Sequence, residues 1–354
     1  MKLGDLSVTY VEVLSRTVTA LGGNAASLLA DYSIPPETLS SPDARISIPR
    51  FMRLGHDAIR RCHTPALGLE MGLHMQASHF GKAGLLALTA ADLRQACQVL
   101  TQYEVLSSFN SRGTSSFRQH NGSGQLTFYS ISPYNDYNLF VVDMALSSWY
   151  QLLTRLTGRT DLVAAVEIEF PEPEYVDQYR RYFPCKVRFG AASNSLVLHS
   201  GALSAPVIQH CASVHEKLRR EADHELTRLQ AGLSSRDRVA ATISPLLNGQ
   251  APRLEMIARR LNTTPWSLRR RLQAEGVTFQ QVLDQTRQEL AESYVRDTAL
   301  TLGEIAYVLG FGSVGAFQRA FRRWTGEAPG RYRNSLGREI TPAHISTASS
   351  PSSS

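Results

Sequence analysis

A short segment after Thr264 carries residue types that bind nucleic-acid bases and phosphates. Leu268 and Leu272 lie four residues apart and would share the buried side of a helix. The other long side chains of this segment are polar or amphipathic: Trp266, Arg269, Arg270, Arg271 and Gln273. Because planar guanidinium groups donate paired hydrogen bonds to phosphate oxygens and guanine edges, the segment predicts a helix that lies in a DNA major groove. The alternative is that Trp266 packs in the core.

A second segment further along the chain repeats this arrangement. The run Gly310-Phe-Gly-Ser313 predicts a turn, because glycine adopts the positive φ that ends a helix. Ser313 would cap the next helix, whose buried side would be formed by Phe317, Phe321 and Trp324. The residues predicted to contact DNA in this segment are Ser313, Val314, Gly315, Gln318, Arg319 and Arg322.

Each of these helices must be positioned by a preceding helix and a turn. Residues 254–261 and 302–309 place apolar side chains on one helical face, and Thr264 with Pro265 would start the first groove-binding helix. The two segments therefore predict two helix-turn-helix units. Between them, a long helix carries an apolar stripe of Phe279, Val282, Leu283, Leu290 and Tyr294. A stiff helix of this kind would hold the two units in successive major grooves, ~34 Å apart.

The positive charge of the chain is concentrated around these two units. The chain has 37 Lys and Arg residues against 31 Asp and Glu residues, a net charge of +6. Residues 236–338 contain 16 basic residues, all of them arginine, and 9 acidic residues, a net charge of +7. Residues 1–235 contain 21 of each and are neutral. This asymmetry favours a polyanionic partner for the second half, the alternative being a solvated basic surface.

No set of residues in the sequence has the spacing of an enzyme active site or a metal site. The phosphate-loop, nucleophile-elbow and zinc-protease motifs are missing, and no G-x-G-x-x-G motif follows a predicted strand. The four cysteines are spaced too irregularly for zinc ligands or a disulfide framework, so we expect them to be reduced. We therefore predict a protein that is not an enzyme, with no catalytic residues, no metal and no cofactor.

The length of 354 residues and the hydrophobic content of 43% are typical of two globular domains. No segment approaches the ~18 to 20 consecutive apolar residues of a membrane-spanning helix. The N-terminus has acidic residues where a secretory leader would have a basic start and an apolar middle. These features predict a cytoplasmic protein without a membrane partner.

The first half of the chain mixes helix and strand patterns. Residues 92–109 repeat apolar side chains with a helical period, whereas residues 116–120 and 125–131 flank a glycine-containing turn and predict a hairpin. Residues 166–170 and 186–189 alternate as strands do. This half is therefore predicted to be an α+β domain. Residues 203–231 predict a helix with the apolar stripe Val207, Cys211, Val214 and Leu218, which would pack on a second copy of itself or on its own domain.

Residues 304–333 resemble, almost position for position, the signature of AraC/XylS-type transcription regulators. Residues 268–276 and Arg287 resemble the first unit and the linker helix of the same DNA-binding domain. The first half resembles, more diffusely, the arabinose-binding-type N-terminal domain of a subgroup of these regulators, in blocks at 28–39, 42–46, 65–69, 81–85 and 183–190. That resemblance implies a sensor of a small molecule and does not imply a sugar.

The resemblance also assigns roles to individual residues. It implies that Trp266, Arg269 and Arg270 contact bases or backbone from the first unit. In the second unit it implies the same for Val314, Gly315 and Arg319. Family members often carry Gln or Ser where this chain has Val314 and Gly315. We therefore expect the second unit to grip phosphate mainly through Arg319 and Arg322, with Val314 against a thymine methyl group.

These patterns divide the chain into four parts. We predict an α+β effector-binding domain at 1–202, followed by a helical linker and candidate dimer contact at 203–233. Residues 234–336 are predicted to form an all-α domain with two helix-turn-helix units joined by a long helix. Residues 337–354 are predicted to form a disordered tail. The boundary follows a polar stretch at 233–238, where the charge balance changes.

The function predicted from these parts is sequence-specific transcriptional regulation. We expect an effector-responsive activator whose partners are double-stranded promoter DNA and an unidentified small molecule, with RNA polymerase and a second copy of the chain as further candidates. One alternative is a repressor of the same architecture. The other is a protein-interaction or sensor module that does not bind DNA.

Overall fold

The computed structural model describes residues 4–41, 43–110, 113–120, 122–130, 134, 137–231, 234–298 and 300–337. The predicted tail beyond residue 337 and the junction at residues 232–233 lie outside the described residues. Within the described part, no helix is long and apolar enough to cross a membrane.

The first part of the chain alternates helices with short strands. Its elements are β1 (Gly4–Ser7), α1 (Thr9–Ala20), α2 (Ala25–Asp31), α3 (Pro36–Leu39), β2 (Arg45–Ser47), α4 (Ile48–Cys62), α5 (Leu67–His74), α6 (Gly81–Thr89), α7 (Leu93–Gln102), β3 (Ser108–Asn110), β4 (Ser116–His120), β5 (Ser123–Phe128), α8 (Leu139–Thr157), β6 (Val163–Glu167), α9 (Val176–Tyr182), β7 (Lys186–Arg188) and β8 (Asn194–Leu198). Three-residue and four-residue 3₁₀ helices lie at Ala77–Phe80, Glu104–Leu106 and Ala202–Ser204.

The strands form two separate sheets. The smaller sheet has the order β2-β1-β3 and is antiparallel, and the larger has the order β4-β5-β8-β6-β7. The pair β6 and β7 is parallel, because α9 lies between them in sequence and returns the chain to the same end of the sheet. The predicted α+β class of this half is confirmed.

Helix α8 forms the centre of the N-terminal domain and packs tightly on α5. Gly68 and Gly72 of α5 allow this close approach: a Cβ atom at Gly68 would lie 2.3 Å from the carbonyl oxygen of Phe140, and one at Gly72 would lie 2.0 Å from Ser147 Oγ. One carboxyl group is enclosed in this region. Asp143 of α8 is fully buried and accepts hydrogen bonds from the hydroxyls of Tyr175 and Tyr179.

Two predicted helices are shorter than their apolar patterns suggest. The helix predicted at 92–109 ends at Gln102, because residues 108–110 pair with β1 as strand β3. The helix predicted at 203–231 begins at Ala212 instead of Leu203. The preceding segment is held by backbone bonds to other elements, from Val207 N to Ala91 O at 3.3 Å and from Ile208 N to Leu156 O at 2.8 Å.

This shorter helix, α10 (Ala212–Ala231), packs on its own domain. Its inward side chains include His215 and Ala222, and Leu218 also packs against the N-terminal core. Polar contacts add to this packing, since Tyr103 donates a hydrogen bond to Asp223, and Lys82 forms an ion pair with Glu225. Of the predicted stripe, Val207 is buried outside the helix, whereas Val214 is exposed.

The described residues after α10 are helical or irregular. The helices are α11 (Ser235–Ile243), α12 (Leu254–Arg260), α13 (Pro265–Ala274), α14 (Phe279–Asp297), α15 (Leu302–Val308), α16 (Val314–Thr325) and α17 (Pro329–Gly337), with a 3₁₀ helix at Ser244–Leu246. They surround a second hydrophobic core that includes Val239, Ile257, Leu290 and Phe317. The predicted all-α class of this domain is confirmed.

The two domains contact each other through a few elements. Helix α14 packs against α4, and Tyr129, which follows strand β5, packs against the second core. Helices α10 and α11 connect the two cores in sequence. The helix that joins the two helix-turn-helix units is therefore also a surface of contact with the N-terminal domain.

Candidate nucleic-acid interface

The first helix-turn-helix unit consists of α12 and α13. Helix α13 begins as its sequence predicts, because the Thr264 hydroxyl accepts a hydrogen bond from the Ser267 backbone at 3.1 Å and Pro265 occupies the first turn. Leu268 and Leu272 are buried in the second core, on the same side of the helix. These contacts fix which side of α13 faces outward.

The outward side of α13 is cationic and aromatic. Trp266 is 66% exposed, so the alternative that it packs in the core is excluded. The Arg270 guanidinium lies over the Trp266 ring, 4.9 Å from its centroid, a distance at which the ring attracts the cation. Arg269, Arg271 and Gln273 are exposed as well. The structure thus brings the five predicted residues of this unit to the surface of one helix.

The second unit consists of α15 and α16. Gly310 has a φ of 71° in the turn between them, and the Ser313 hydroxyl accepts a hydrogen bond from the Ala316 backbone at 3.2 Å. Phe317 and Phe321 are fully buried, whereas Trp324 is half-buried against the same core. The predicted inward side of α16 is therefore confirmed, with Trp324 at its edge.

The outward side of α16 carries the remaining predicted residues. Val314 is 39% exposed, and Gln318, Arg319 and Arg322 are exposed. Gly315 lies next to Arg319, since a Cβ atom at residue 315 would be 3.5 Å from an Arg319 guanidinium nitrogen. Ser313 differs from the others, because its hydroxyl already caps the helix.

A buried arginine connects the linker helix to the second turn. Arg287 of α14 donates from Nε to Leu309 O at 2.9 Å and from a terminal nitrogen to Gly310 O, and its guanidinium lies 4.5 Å from the Phe311 ring centroid. Burial lowers the pKa of this guanidinium. The sequence holds a signal for this role, because Arg287 lies in register with the apolar positions Leu283, Leu290 and Tyr294 of the same helix.

Two further polar contacts were missed by the sequence analysis. Arg333 of α17 donates to Val295 O at 3.0 Å and to Leu300 O at 2.7 Å, which ties the last helix to the end of α14. Glu275, just after α13, accepts hydrogen bonds from the backbone N–H groups of Ser235 and Arg236 at 2.8 and 2.9 Å. Glu275 thus supports the start of α11 from a distant position in the chain, which short-range patterns do not reveal.

The titratable residues outside the two helix-turn-helix units offer no metal site in the described part of the chain, and one of their cysteines is unreactive. In the described part of the chain, no group of three or more His, Cys, Asp or Glu side chains is arranged to hold a metal ion. The four cysteines are unpaired, and burial raises the pKa of Cys97 to about 12. A thiol with so high a pKa stays protonated at neutral pH and is a poor nucleophile.

Comparison with known families accounts for both domains. Residues 22–207 match the family model described as the arabinose-binding domain of AraC transcription regulators, N-terminal, and residues 257–335 match a helix-turn-helix domain model. The ornithine utilization regulator of Pseudomonas aeruginosa is 32% identical over 334 residues, which cover 92% of this chain and 95% of that protein. The chain belongs to the AraC family of transcription regulators.

Other proteins match this AraC-family chain over most of its length or over part of it. The regulator VirS of Mycobacterium tuberculosis is 23% identical over 94% of this chain and 98% of its own length. Among solved structures, the regulator CdpR of Pseudomonas aeruginosa is 25% identical, with a TM-score of 0.43 over 90% of this chain and 97% of that chain. The DNA-binding domain of AdpA, solved with a target DNA, is 23% identical, with a TM-score of 0.27 over 30% of this chain and 96% of that chain.

Family membership identifies the chain as a DNA-binding transcriptional regulator. The alternative of an interaction module that does not bind DNA is therefore set aside. The relatives named above are transcription regulators.

Proposed function

We propose that this AraC-family chain is an effector-responsive activator that binds promoter DNA through α13 and α16 in successive major grooves. The observation that carries the proposal is the division of α13 into two sides. Leu268 and Leu272 hold the helix to the core, while Trp266, Arg269 and Arg270 project from the other side. A rigid helix with free guanidinium-bearing side chains fits the width of the major groove.

We assign different tasks to the two helices. On α13, Arg269, Arg270 and Gln273 would read base edges, and Arg271 would contact phosphate. Trp266 would support Arg270, whose guanidinium it already contacts. On α16, Arg319 and Arg322 would grip phosphates, and Gln318 and the methyl groups of Val314 would contact bases. Ser313 and Gly315 would bring the start of α16 close to the DNA backbone, since neither carries a bulky side chain.

The charge distribution supports this assignment. Residues 236–338 have 16 arginines and 9 acidic residues. Two of the arginines, Arg287 and Arg333, are used inside the domain, where they donate to backbone carbonyls. The arginines of α13 and of the outward side of α16 are exposed instead. Exposed cations of this kind attract DNA by releasing its counterions, which makes the affinity dependent on salt.

A matched pair of variants tests the two assignments. Arg270→Ala should reduce affinity for the target site by about 1 to 3 kcal/mol and relax specificity at one base pair, because a base contact is lost. Arg322→Ala should weaken binding to all duplexes alike and reduce the slope of log K against log salt by about one unit. Affinities would be measured on a genomic fragment and on random duplex, with Arg331→Ala as a control on an exposed arginine of α17.

Three results would contradict the proposal. The chain could fail to retard any genomic fragment at low ionic strength. Arg270→Ala and Arg322→Ala could show equal losses on specific and random DNA. Arg331→Ala could weaken DNA binding as much as Arg270→Ala or Arg322→Ala does. The loss of affinity would then reflect only the change in net charge.

We propose activation rather than repression, and transcription measurements distinguish the two. Deleting the gene should lower transcription of its target promoter, whereas a repressor would give a rise. An activator also needs contact with RNA polymerase, which we propose as a partner in the cytoplasm. We further propose that a second copy of the chain contacts the outward side of α10, where Val214 is exposed.

A further inference from the structure

Two small cavities lie inside the N-terminal domain, between the small sheet and helix α8. Their volumes are about 60 and 40 Å³, and Leu6, Glu104 and Phe128 line both of them. One water occupies about 15 to 30 Å³, so the larger cavity has room for roughly two to four heavy atoms. A ligand of this size would be enclosed by the core of the domain.

One polar side chain that lines the larger cavity has no partner. Ser148 of α8 is 1% exposed, and within the described residues its hydroxyl forms no hydrogen bond. The preceding residue is satisfied, since the Ser147 hydroxyl donates to Leu69 O at 2.9 Å. A buried hydroxyl without a partner lowers stability, because it has lost its bonds to water and gained none in exchange. A ligand with a polar group would supply the missing hydrogen bond.

The same cavity is lined by a carboxylate that lacks a cation. Glu104 accepts hydrogen bonds from the Ser115 backbone N–H at 2.9 Å and from the Ser115 hydroxyl at 2.6 Å. Among the described residues, no lysine or arginine forms an ion pair with Glu104. Burial raises the pKa of this carboxyl, although the two hydrogen bonds from Ser115 act in the opposite direction. A cation placed beside Glu104 would therefore stabilise its ionised form.

The remaining walls of the larger cavity are mainly apolar, and they include Leu100, Met144 and Trp149. Glu104 is the one acidic residue among the described residues that line it. A divalent cation such as Ca²⁺ or Mg²⁺ takes about six or more oxygen ligands, which these walls do not suit. A cation that carries an apolar group fits better, because it leaves no wall of the cavity without contacts.

We propose that the larger cavity binds a primary amine with a short alkyl chain. Its ammonium group would pair with the Glu104 carboxylate and donate a hydrogen bond to Ser148 Oγ. Its alkyl chain would lie against Leu100, Met144 and Trp149. Hydrogen bonds between charged groups are stronger than neutral ones, which accounts for the preference that we assign to an amine over an alcohol. This inference rests on the proposed function only in calling the amine an effector, because binding to the cavity is measured separately.

The position of Glu104 in the chain gives the amine a means of regulation. The preceding residue, Tyr103, donates a hydrogen bond to Asp223 of α10, which also pairs with Arg219 at 2.8 Å. Helix α10 leads into the DNA-binding domain. An amine that fixes Glu104 would favour the arrangement in which Tyr103 holds α10. It can change DNA affinity only by favouring that arrangement over others.

The test uses the full chain, with propan-1-amine as the charged probe and propan-1-ol as its neutral match. Each probe has four heavy atoms, so calorimetric titrations extend into the millimolar range. The wild type should bind the amine about tenfold more tightly than the alcohol. Glu104→Gln should remove this preference and leave propan-1-ol binding unchanged. Glu172→Gln is the matched control, because it makes the same change of charge at an exposed residue that does not line the cavity.

Ser148→Ala tests the second contact. It should weaken binding of both probes about fivefold, because each of them loses one hydrogen bond. It should not lower the thermal midpoint of the unliganded protein, since its hydroxyl has no partner among the described residues. A lower midpoint without ligand would show that the hydroxyl serves the fold, and it would overturn the role that we assign to Ser148.

Propan-1-amine should also change the affinity of the wild type for its DNA fragment about fivefold, and Glu104→Gln should remove this change. The proposal is overturned if the wild type does not bind the amine, if propan-1-ol binds as tightly, or if Glu104→Gln and Glu172→Gln behave alike. Unaltered DNA affinity in saturating amine would overturn the regulatory role. Failure to bind DNA without any ligand would instead count against the proposed function. Thermal melting of each variant checks folding, and Ser148→Ala decides the matter if Glu104→Gln unfolds.

Discussion

The guanidinium of Arg287 donates a hydrogen bond to the carbonyl oxygen of Leu309 at 2.9 Å, across 22 residues of sequence. The same group also donates to Gly310 O, so one side chain of the linker helix binds both carbonyls at the turn of the second unit. These carbonyls lie at the end of α15, where helical partners are lacking. Arg287 therefore fixes how α16 leaves the core, and with it the orientation of the second DNA-binding surface.

Arg287→Ala should destabilise the C-terminal domain, although Arg287 is not one of the residues that we assign to DNA contact. The change leaves two carbonyl groups without their charged donor, which costs about 2 to 4 kcal/mol. The free energy of unfolding would be measured in urea. Arg331→Ala is the control, because Arg331 is exposed on α17 and should change stability by no more than about 0.5 kcal/mol. Equal stability of the two variants would show that the Arg287 contacts contribute little.

Gly310→Ala should destabilise the same turn for a different reason. Gly310 has a φ of 71°, and a Cβ atom there would lie 2.5 Å from the Gln250 carbonyl oxygen. The left-handed backbone alone costs an alanine about 1 to 2 kcal/mol, and the contact adds to it. Gly312→Ala is the matched control, since a Cβ atom at that position would meet nothing within 4 Å. Denaturant midpoints of the two variants should differ clearly, and similar midpoints would contradict the role of Gly310.

Trp266→Ala should weaken DNA binding while leaving the stability of the protein almost unchanged. The ring is 66% exposed, so its loss should change the free energy of unfolding by less than about 0.5 kcal/mol. Affinity for the target site should fall by about 1 kcal/mol or more, because the ring no longer holds the Arg270 guanidinium. Met256→Ala, which removes an exposed apolar side chain from α12, is the control. An unfolding midpoint that shifts while DNA affinity stays constant would contradict this prediction.

Asp143 should make the stability of the N-terminal domain dependent on pH. Burial raises the pKa of this carboxyl from 3.8 to about 7, although hydrogen bonds from Tyr179 and Tyr175 act in the opposite direction. The folded state then holds a proton that the unfolded state releases, so this contribution to stability is complete below about pH 4 and is lost as the pH rises to about 7.

The corresponding experiment compares the wild type with Asp143→Asn. The variant cannot ionise, so it should lose the decline in stability between about pH 4 and pH 7, which could reach about 4 kcal/mol. Thermal midpoints at several pH values would show the difference. Asp161→Asn serves as the control, because its carboxylate is exposed and paired with Arg159 at 2.9 Å. If the thermal midpoint of Asp143→Asn falls with pH as that of the wild type does, the pH dependence arises from another group.

The DNA-binding domain could be predicted from sequence because its structure depends on local signals. Thr264 and Ser313 cap the helices that the sequence assigned to them, and Leu268 and Phe317 are buried as their spacing indicates. Caps and apolar periods act over a few residues, so they are visible without knowledge of the fold.

The features that escaped prediction depend on contacts between distant residues. Helix α10 starts at Ala212 because the preceding segment bonds to backbone groups near Ala91 and Leu156. Glu275 supports α11 from 39 and 40 residues away. A cavity beside α10, α11 and α14 is lined by residues as far apart in sequence as Asp5 and Glu289. No short pattern encodes such distances.

The absence of lysine from residues 236–338 has a consequence for control of the protein. Guanidinium groups keep their charge throughout the physiological pH range, and they are not substrates for the acetylation that neutralises lysine. The exposed arginines of α13 and α16 therefore give a fixed attraction for polyanions. Changes in cellular pH near neutrality and the acetylation of lysine therefore do not alter this attraction directly.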